Sequence, residues 1–163
     1  MSSCCEQPEC AVRTAPAVCP ASGTKGVPVG LQTVKALLTS AALQRVEPGA
    51  YRFCTDQACE VVYFDDRGHT FSEADLRARV WQKQAEGDRV LCYCFGENES
   101  DIRAEIALCG YSRAAERVRA HIKAGRCACK IRNPRGTCCL GDVTTAVKQL
   151  GAAPAPARAE GGS

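Results

Sequence analysis

Two cysteines one residue apart, Cys92 and Cys94 in the stretch RVLCYCFGENESDI, set the first condition on what this chain can be. In an extended segment such neighbours point apart and cannot reach disulfide geometry, so both thiols must face a third partner. They belong to a set of 13 cysteines in 163 residues. A chain of that length makes one ordinary domain or two small ones, and small domains are marginal without cross-links or bound metal. The cysteines are therefore expected to act as staples. The N-terminal MSSCCEQPEC has no basic patch followed by an apolar run, and no stretch approaches the ~20 apolar residues of a membrane span. The expectation is a cytoplasmic protein, in which grouped cysteines are metal ligands more often than disulfides. The odd count also argues against complete internal pairing.

Organisation follows from composition shifts. Residues 1–18, rich in Cys, Pro, Ala and Ser without a period, read as a flexible Cys-containing arm, and residues 152–163 as a disordered Pro/Ala/Gly tail. Between them the polar stretch AEGDR, residues 85–89, separates two blocks, 19–88 and 89–151. In the first block TVKALLTSAALQRV predicts a short helix from Thr39 or Ser40 to about Val46, ended by EPGA. YRFC and EVVYFDDRGHTF predict two or three small strands turned at DDRG. SEADLRARVWQK opens with Ser72 and Asp75 in the spacing of a capping box, as a helix start or a continuing strand. The second block reads as three helices. Asn98 caps the first, which carries Ile102, Ile106 and Cys109 on one face and stops at Gly110. Ser112 caps the second, with Val118 and Ile122, ending at Gly125. Val143, Ala146, Val147 and Leu150 line the third, with Gly151 beyond its end. The fold class is thus α+β: a small zinc-ribbon-like N-terminal domain, then a three-helix domain.

The thiols divide between the blocks. Cys19 in the tight turn CPASG, with Cys54 and Cys59 in FCTDQAC, has the form of a knuckle plus a hairpin, a tetrahedral sulfur site that suits zinc. A second knuckle cysteine is expected where Ser22 stands, so the fourth ligand must come from Cys4, Cys5 or Cys10 of the arm, from His69, or from elsewhere. In the second block Cys92 and Cys94 are followed by Cys127 and Cys129, then by Cys138 and Cys139. Thiolates converging from two helix starts suit a [2Fe–2S] cluster, whose negative charge the helix-end N–H groups favour; zinc at the same thiolates is the competing reading.

CYC before a capped helix, with cysteines before a last helix, resembles the [2Fe–2S] domain of bacterioferritin-associated ferredoxin (BFD-like) and of the middle region of NifU-type proteins. The Cys94 to Cys127 interval fits that family's C-x-C and C-x-x-C spacing, and Cys129 overshoots it. In place of the family's close second pair, ACKIRNPRGTC inserts a loop before Cys138 and Cys139. That loop, with YRFCTDQACEVVYFD, ADLRARVWQK and LCYCF, looks like the N-terminal region of the CopZ-type copper chaperones, over roughly residues 19–150. The resemblance implies a [2Fe–2S] cluster on Cys92, Cys94, Cys127 and Cys139, with Cys129 and Cys138 in reserve. It implies zinc on Cys19, Cys54 and Cys59, with Cys5 or another arm cysteine completing the set. Full-length proteins of that kind carry a further domain with a Met-x-Cys-x-x-Cys copper loop. The only methionine here is Met1, so copper transfer by such a loop is not expected.

The functional expectation is a non-enzymatic iron–sulfur and zinc protein that passes single electrons in copper handling, with a redox or metal-trafficking protein as partner and Cu(I) as a further candidate ligand. The alternatives are soft-metal capture by the arm CCEQPEC and a purely structural zinc protein. Neither His69 nor His121 has a nucleophile close in sequence, and there is no phosphate-cradling glycine motif. A net charge of only +3 and few aromatics argue against nucleic acid, although HIKAGRCACKIRNPRG forms a local basic cluster.

Overall fold

The computed structural model describes residues 17–152. The sequence expectations for the arm cysteines Cys4, Cys5 and Cys10 and for the tail beyond Ala152 lie outside the described residues. Four short strands, β1 (Val27–Val29), β2 (Tyr51–Phe53), β3 (Val61–Asp65) and β4 (Thr70–Ser72), form one antiparallel sheet in sequence order. Val27 pairs with Phe53, and Phe53 with Tyr63. β3 is buried along its whole length because both its faces are covered. Val62 and Tyr63 join the main core, while Val61 and Phe64 join a smaller cluster with Cys19 and Cys54. A register shift between Val61 and Tyr63 breaks strict alternation and makes this division possible.

The main core packs Val34 and Leu37 of helix α1 (Leu31–Leu37), together with Leu38, against Tyr51, Phe53, Tyr63 and Phe71 of the sheet. The helix expected from Thr39 or Ser40 to about Val46 starts where expected and ends early, at Leu43. Thr39 caps α2 (Ser40–Leu43), its hydroxyl accepting from the Ala42 amide at 3.3 Å, but α1 precedes it as a separate helix. The break comes from pairing elsewhere: Leu38 bridges Leu76, and the Thr39 amide donates to the Asp75 carbonyl at 2.8 Å. The same pairing explains SEADLR. Its Ser72–Asp75 capping box forms, yet closes only one 3-10 turn, Glu73–Asp75, before Leu76 becomes extended.

Gly26 marks how tightly β1 approaches the sheet. A Cβ there would stand 2.4 Å from Cζ of the Phe64 ring and 2.9 Å from the Arg52 Cβ. We expect Gly26→Ala to cost about 1–3 kcal/mol by overpacking, seen as a lower urea midpoint with an unchanged slope.

The second unit contains α3 (Glu99–Cys109), α4 (Ala114–Lys123), a short α5 (Cys129–Arg132) that the three-helix expectation lacks, and α6 (Leu140–Ala152). Asn98 caps α3 through its side-chain oxygen, 2.8 Å from the Asp101 amide, and Gly110 ends it with φ 80°. The Ser112 hydroxyl accepts from the Ala114 amide at 3.2 Å. α6 continues through Gly151, which therefore lies within the helix rather than past it. Ile102, Ala114, Val118, Val143 and Ala146 form the core with Leu91, Cys92 and Cys139. Cys109, expected in that core, is exposed: it shares the stripe of Ile102 and Ile106 but sits on the last turn of α3.

Two contacts hold the units together and fix the loop that leads to Cys138. The buried Tyr63 hydroxyl donates to the Pro134 carbonyl at 2.7 Å. Gly136, with φ 66°, lies so close to the buried Thr33 that a Cβ would come within 2.6 Å of its hydroxyl oxygen. At the AEGDR joint the buried Glu99 carboxylate pairs with Arg89 and accepts from the amides of Gly87, at 2.8 Å, and Arg89, at 3.2 Å. Burial alone would raise the Glu99 pKa, but these bonds outweigh it and hold the carboxyl below its ordinary value.

Candidate metal centres

The first centre is built by a knuckle and a hairpin. In the CPASG turn the Gly23 amide donates to the Cys19 carbonyl at 2.8 Å, and the Cys19 amide to the Thr24 carbonyl at 2.8 Å. Cys54 leaves the end of β2 and Cys59 precedes β3, so FCTDQAC returns its second thiol toward the first. The sulfurs of Cys19, Cys54 and Cys59 all lie within 4.8 Å of one another, and Cys19 and Cys59 are 3.9 Å apart. Zinc–sulfur bonds of about 2.3 Å put tetrahedral sulfurs about 3.8 Å apart, so three corners of a zinc site are preformed. Burial opposes a Cys19 thiolate, but the Ser22 and Ala21 amides outweigh it and lower the pKa. Burial pushes Cys59 up, and neighbouring Cys54 and Cys19 add to the rise. Ser22 stands beside the trio, its hydroxyl oxygen 3.6 Å from the Cys54 sulfur. The position where a second knuckle cysteine was expected is therefore adjacent to the site in space, but carries oxygen.

The second centre starts from the tight turn after Leu91. The Gly96 amide donates to the Cys92 carbonyl at 2.8 Å, the Cys92 amide to the Glu97 carbonyl at 3.1 Å, and Gly96 has φ 75°. This turn lets Cys92 enter the core while Cys94 remains half-buried. Cys94 faces Cys129 at 3.8 Å, and the Ala128 amide donates to its sulfur at 3.2 Å. Cys92 faces Cys139: the Cys139 thiol donates to it and, despite burial, holds Cys92 well below the ordinary thiol range, helped by the amides of Phe95 and Cys94. The same contact drives Cys139 up. Burial raises the Cys129 thiol to about 11, with the neighbouring sulfur of Cys94 adding to the rise. Cys94 and Cys129 thus form one close pair, with Cys92 and Cys139 buried together in the same core. Among the described residues, only Cys19, Cys54 and Cys59 form a group of three or more possible ligands mutually within 4.8 Å.

Comparison with known proteins bears on the first centre directly. Residues 16–77 match a family model described as a zinc binding domain of CopZ type. The chain carries a CopZ-like N-terminal region. The curated copper chaperone CopZ of Archaeoglobus fulgidus is 31% identical over 122 residues, which cover 74% of this chain and 57% of that protein. The chain therefore spans little more than half the length of this relative. The X-ray structure of the Archaeoglobus fulgidus CopZ N-terminal domain superposes with a TM-score of 0.64 at 29% identity, covering 78% of this chain and 95% of that one. The α+β architecture, a four-stranded antiparallel sheet followed by helices, agrees with that likeness.

Within the CopZ-like region Cys19, Cys54 and Cys59 come together, whereas His69 bonds Asp65 at 2.9 Å across the β3–β4 turn and lies outside the trio. Further along, Cys92 and Cys139 lie in one core, and the sulfur beside Cys94 is that of Cys129, the reserve, rather than that of Cys127. Cys127 is exposed, as is Cys138. The reason is α5: its single turn starts at Cys129 and directs that thiol inward. The interval rule had no information about that turn. The half-buried His121 stacks on Phe95 with ring centres 4.0 Å apart. No helix among the described residues is long and apolar enough to cross a membrane.

Proposed function

We propose that this is a two-centre metal protein of the CopZ-like kind: zinc on Cys19, Cys54 and Cys59, and a [2Fe–2S] cluster on Cys92, Cys94, Cys129 and Cys139 in a BFD-like helical unit. Its role is to carry single electrons in copper handling rather than to catalyse. The observation that carries the reading is the spread of the second thiol set, in which, among the described residues, no three possible ligands lie mutually within 4.8 Å. One tetrahedral zinc needs every sulfur about 3.8 Å from every other. That compactness occurs in the first set and not in the second. A two-iron centre takes two thiolates per iron, which suits Cys94 with Cys129, 3.8 Å apart, on one iron and Cys92 with Cys139, buried in the same core, on the other.

When bound, the cluster would supply a site that accepts and releases one electron. The chain's own part is to hold the sulfurs and aim N–H groups at them: Ala128 at Cys94, Phe95 and Cys94 at Cys92, and Cys139 at Cys129. Such bonds favour negative charge on sulfur and raise a reduction potential. The copper link draws on the similarity to a copper chaperone. As substrate, Cu(II) would take one electron from the reduced protein to become Cu(I), the form thiolate acceptors prefer. The partners are then metal ions and a redox or metal-trafficking protein.

Purification without oxygen tests the reading. The expected product is red-brown, holds about two irons and two acid-labile sulfides per chain, and turns paramagnetic on one-electron reduction. A colourless protein containing only zinc would overturn it.

A further inference from the structure

We propose that the exposed cations around the second centre form a docking surface for an electron-transfer protein with an acidic face; the inference rests on the two-iron reading above. From Arg117 to Gly141 the chain contains no acidic residue. Two of the cations in this stretch are engaged: Arg117 with Glu97 at 2.8 Å and Glu105 at 2.9 Å, and Arg135 with Asp142 at 3.4 Å. Arg119, Lys123, Arg126, Lys130 and Arg132 are exposed, and none forms an ion pair among the described residues. These five lie between Arg119 and Arg132, in the same acid-free stretch that carries Cys127 and Cys129, so the chain around those two cysteines bears uncompensated positive charge.

Arg126 also lies 3.4 Å from His121 Nδ1, and none of the five bonds a sulfur among the described residues. The N–H group that reaches the Cys94 sulfur belongs to the Ala128 backbone. The cations therefore remain available to a partner, and an exposed cationic field of this kind steers an oppositely charged protein toward the surface. An apolar point stands next to these cations: Ile131 is 47% exposed between Lys130 and Arg132, two positions after Cys129. An apolar centre within a polar rim is the anatomy of a protein interface. A nucleic acid would gain from an aromatic platform, but the nearby Phe95 ring is stacked on His121 and half-buried. An acidic electron carrier seated here would approach the half-buried Cys94 and Cys129, giving electrons a short path.

The test measures direct binding, with flavodoxin as an acidic electron-transfer probe and cytochrome c as a basic one, while iron, sulfide and zinc are counted in the same samples. Flavodoxin binding at low ionic strength is expected to weaken at least about tenfold as salt shortens the screening length. The variant Lys123→Glu/Arg126→Glu/Lys130→Glu/Arg132→Glu should lose a similar factor at low salt with unchanged metal content, and the milder set of Gln replacements a smaller one. A control, Arg77→Glu/Arg79→Glu/Arg103→Glu, should bind as wild type, and cytochrome c should not bind. Absent flavodoxin binding, unchanged binding by the quadruple variant, or tighter binding of a DNA duplex or an anionic phosphatidylglycerol vesicle at equal salt would each overturn the proposal. A colourless protein with intact, salt-sensitive flavodoxin binding would sustain the surface and fault the iron assignment. Iron-replete protein that ignores flavodoxin would fault the surface alone.

Discussion

Cys129→Ala is expected to abolish iron and acid-labile sulfide binding almost completely, while Cys127→Ala, two residues away, keeps both. Alanine is the more decisive replacement because a serine oxygen can substitute for sulfur. The contrast follows from position. Cys129 faces Cys94 at 3.8 Å across the turn that α5 closes, whereas Cys127 is exposed on the loop after α4. Removing Cys129 leaves Cys94 without its partner and an iron with one protein thiolate fewer. Because Cys129 is only half-buried and contributes little volume to the core, the helices should remain folded. Zinc content and far-ultraviolet circular dichroism should therefore match wild type. Iron, sulfide and the visible absorption of both variants decide the matter: if Cys127→Ala bleaches the protein and Cys129→Ala does not, the two-pair arrangement is not the one that binds.

The pair of variants also locates where sequence reading succeeds and where it stops. Helix ends governed by local chemistry were legible: Asn98 as a cap, Gly110 as a left-handed stop, and the Ser72–Asp75 capping box all form. So were the strands around DDRG and the clustering of Cys19, Cys54 and Cys59, because a strand end and a short return fix where both hairpin thiols point. What failed depended on distant partners. Leu76 pairs with Leu38, which separates α1 from α2 and holds the segment after Ser72, read as a helix start or a continuing strand, to one turn. β1 gave no sequence signal, since VPV contains a proline and gains its place from pairing with β2. What separates Cys127 from Cys129 in burial is one turn of helix, followed by a loop held to β3 through Pro134 and to α1 through Gly136, and no spacing rule encodes that support. Its trace in the sequence is the inserted loop itself, the extra residues between Cys129 and Cys138.

Cys54→Ala is expected to release zinc and to melt one edge of the molecule rather than the whole. Cys54 is fully buried, and its cluster consists of Cys19, Val61 and Phe64 with Cys59 against them, too few apolar groups to hold the knuckle without a metal. A structural zinc contributes apparent binding energies of about 10–16 kcal/mol in small folds, and that energy is largely folding energy. The sheet has a separate support in Val34, Leu37, Tyr51, Tyr63 and Phe71. Loss of the metal should therefore free the amides of Cys19, Gly23 and Gly26, now bonded to Thr24, Cys19 and Ala17, and that of Cys59, bonded to Asp56. The amides of Val34 and Leu38, bonded to Gly30 and Val34, should stay protected. Hydrogen exchange resolved by residue reads both sets at once, and a strong chelator added to wild type should reproduce the pattern without any substitution. Acidification should do the same, because the thiolates must be deprotonated to bind and protons compete with zinc for Cys19 and Cys59. If zinc leaves while the Cys19, Gly23 and Cys59 amides remain protected, the knuckle is held by packing alone, and the three sulfurs owe their spacing to the sheet rather than to a metal.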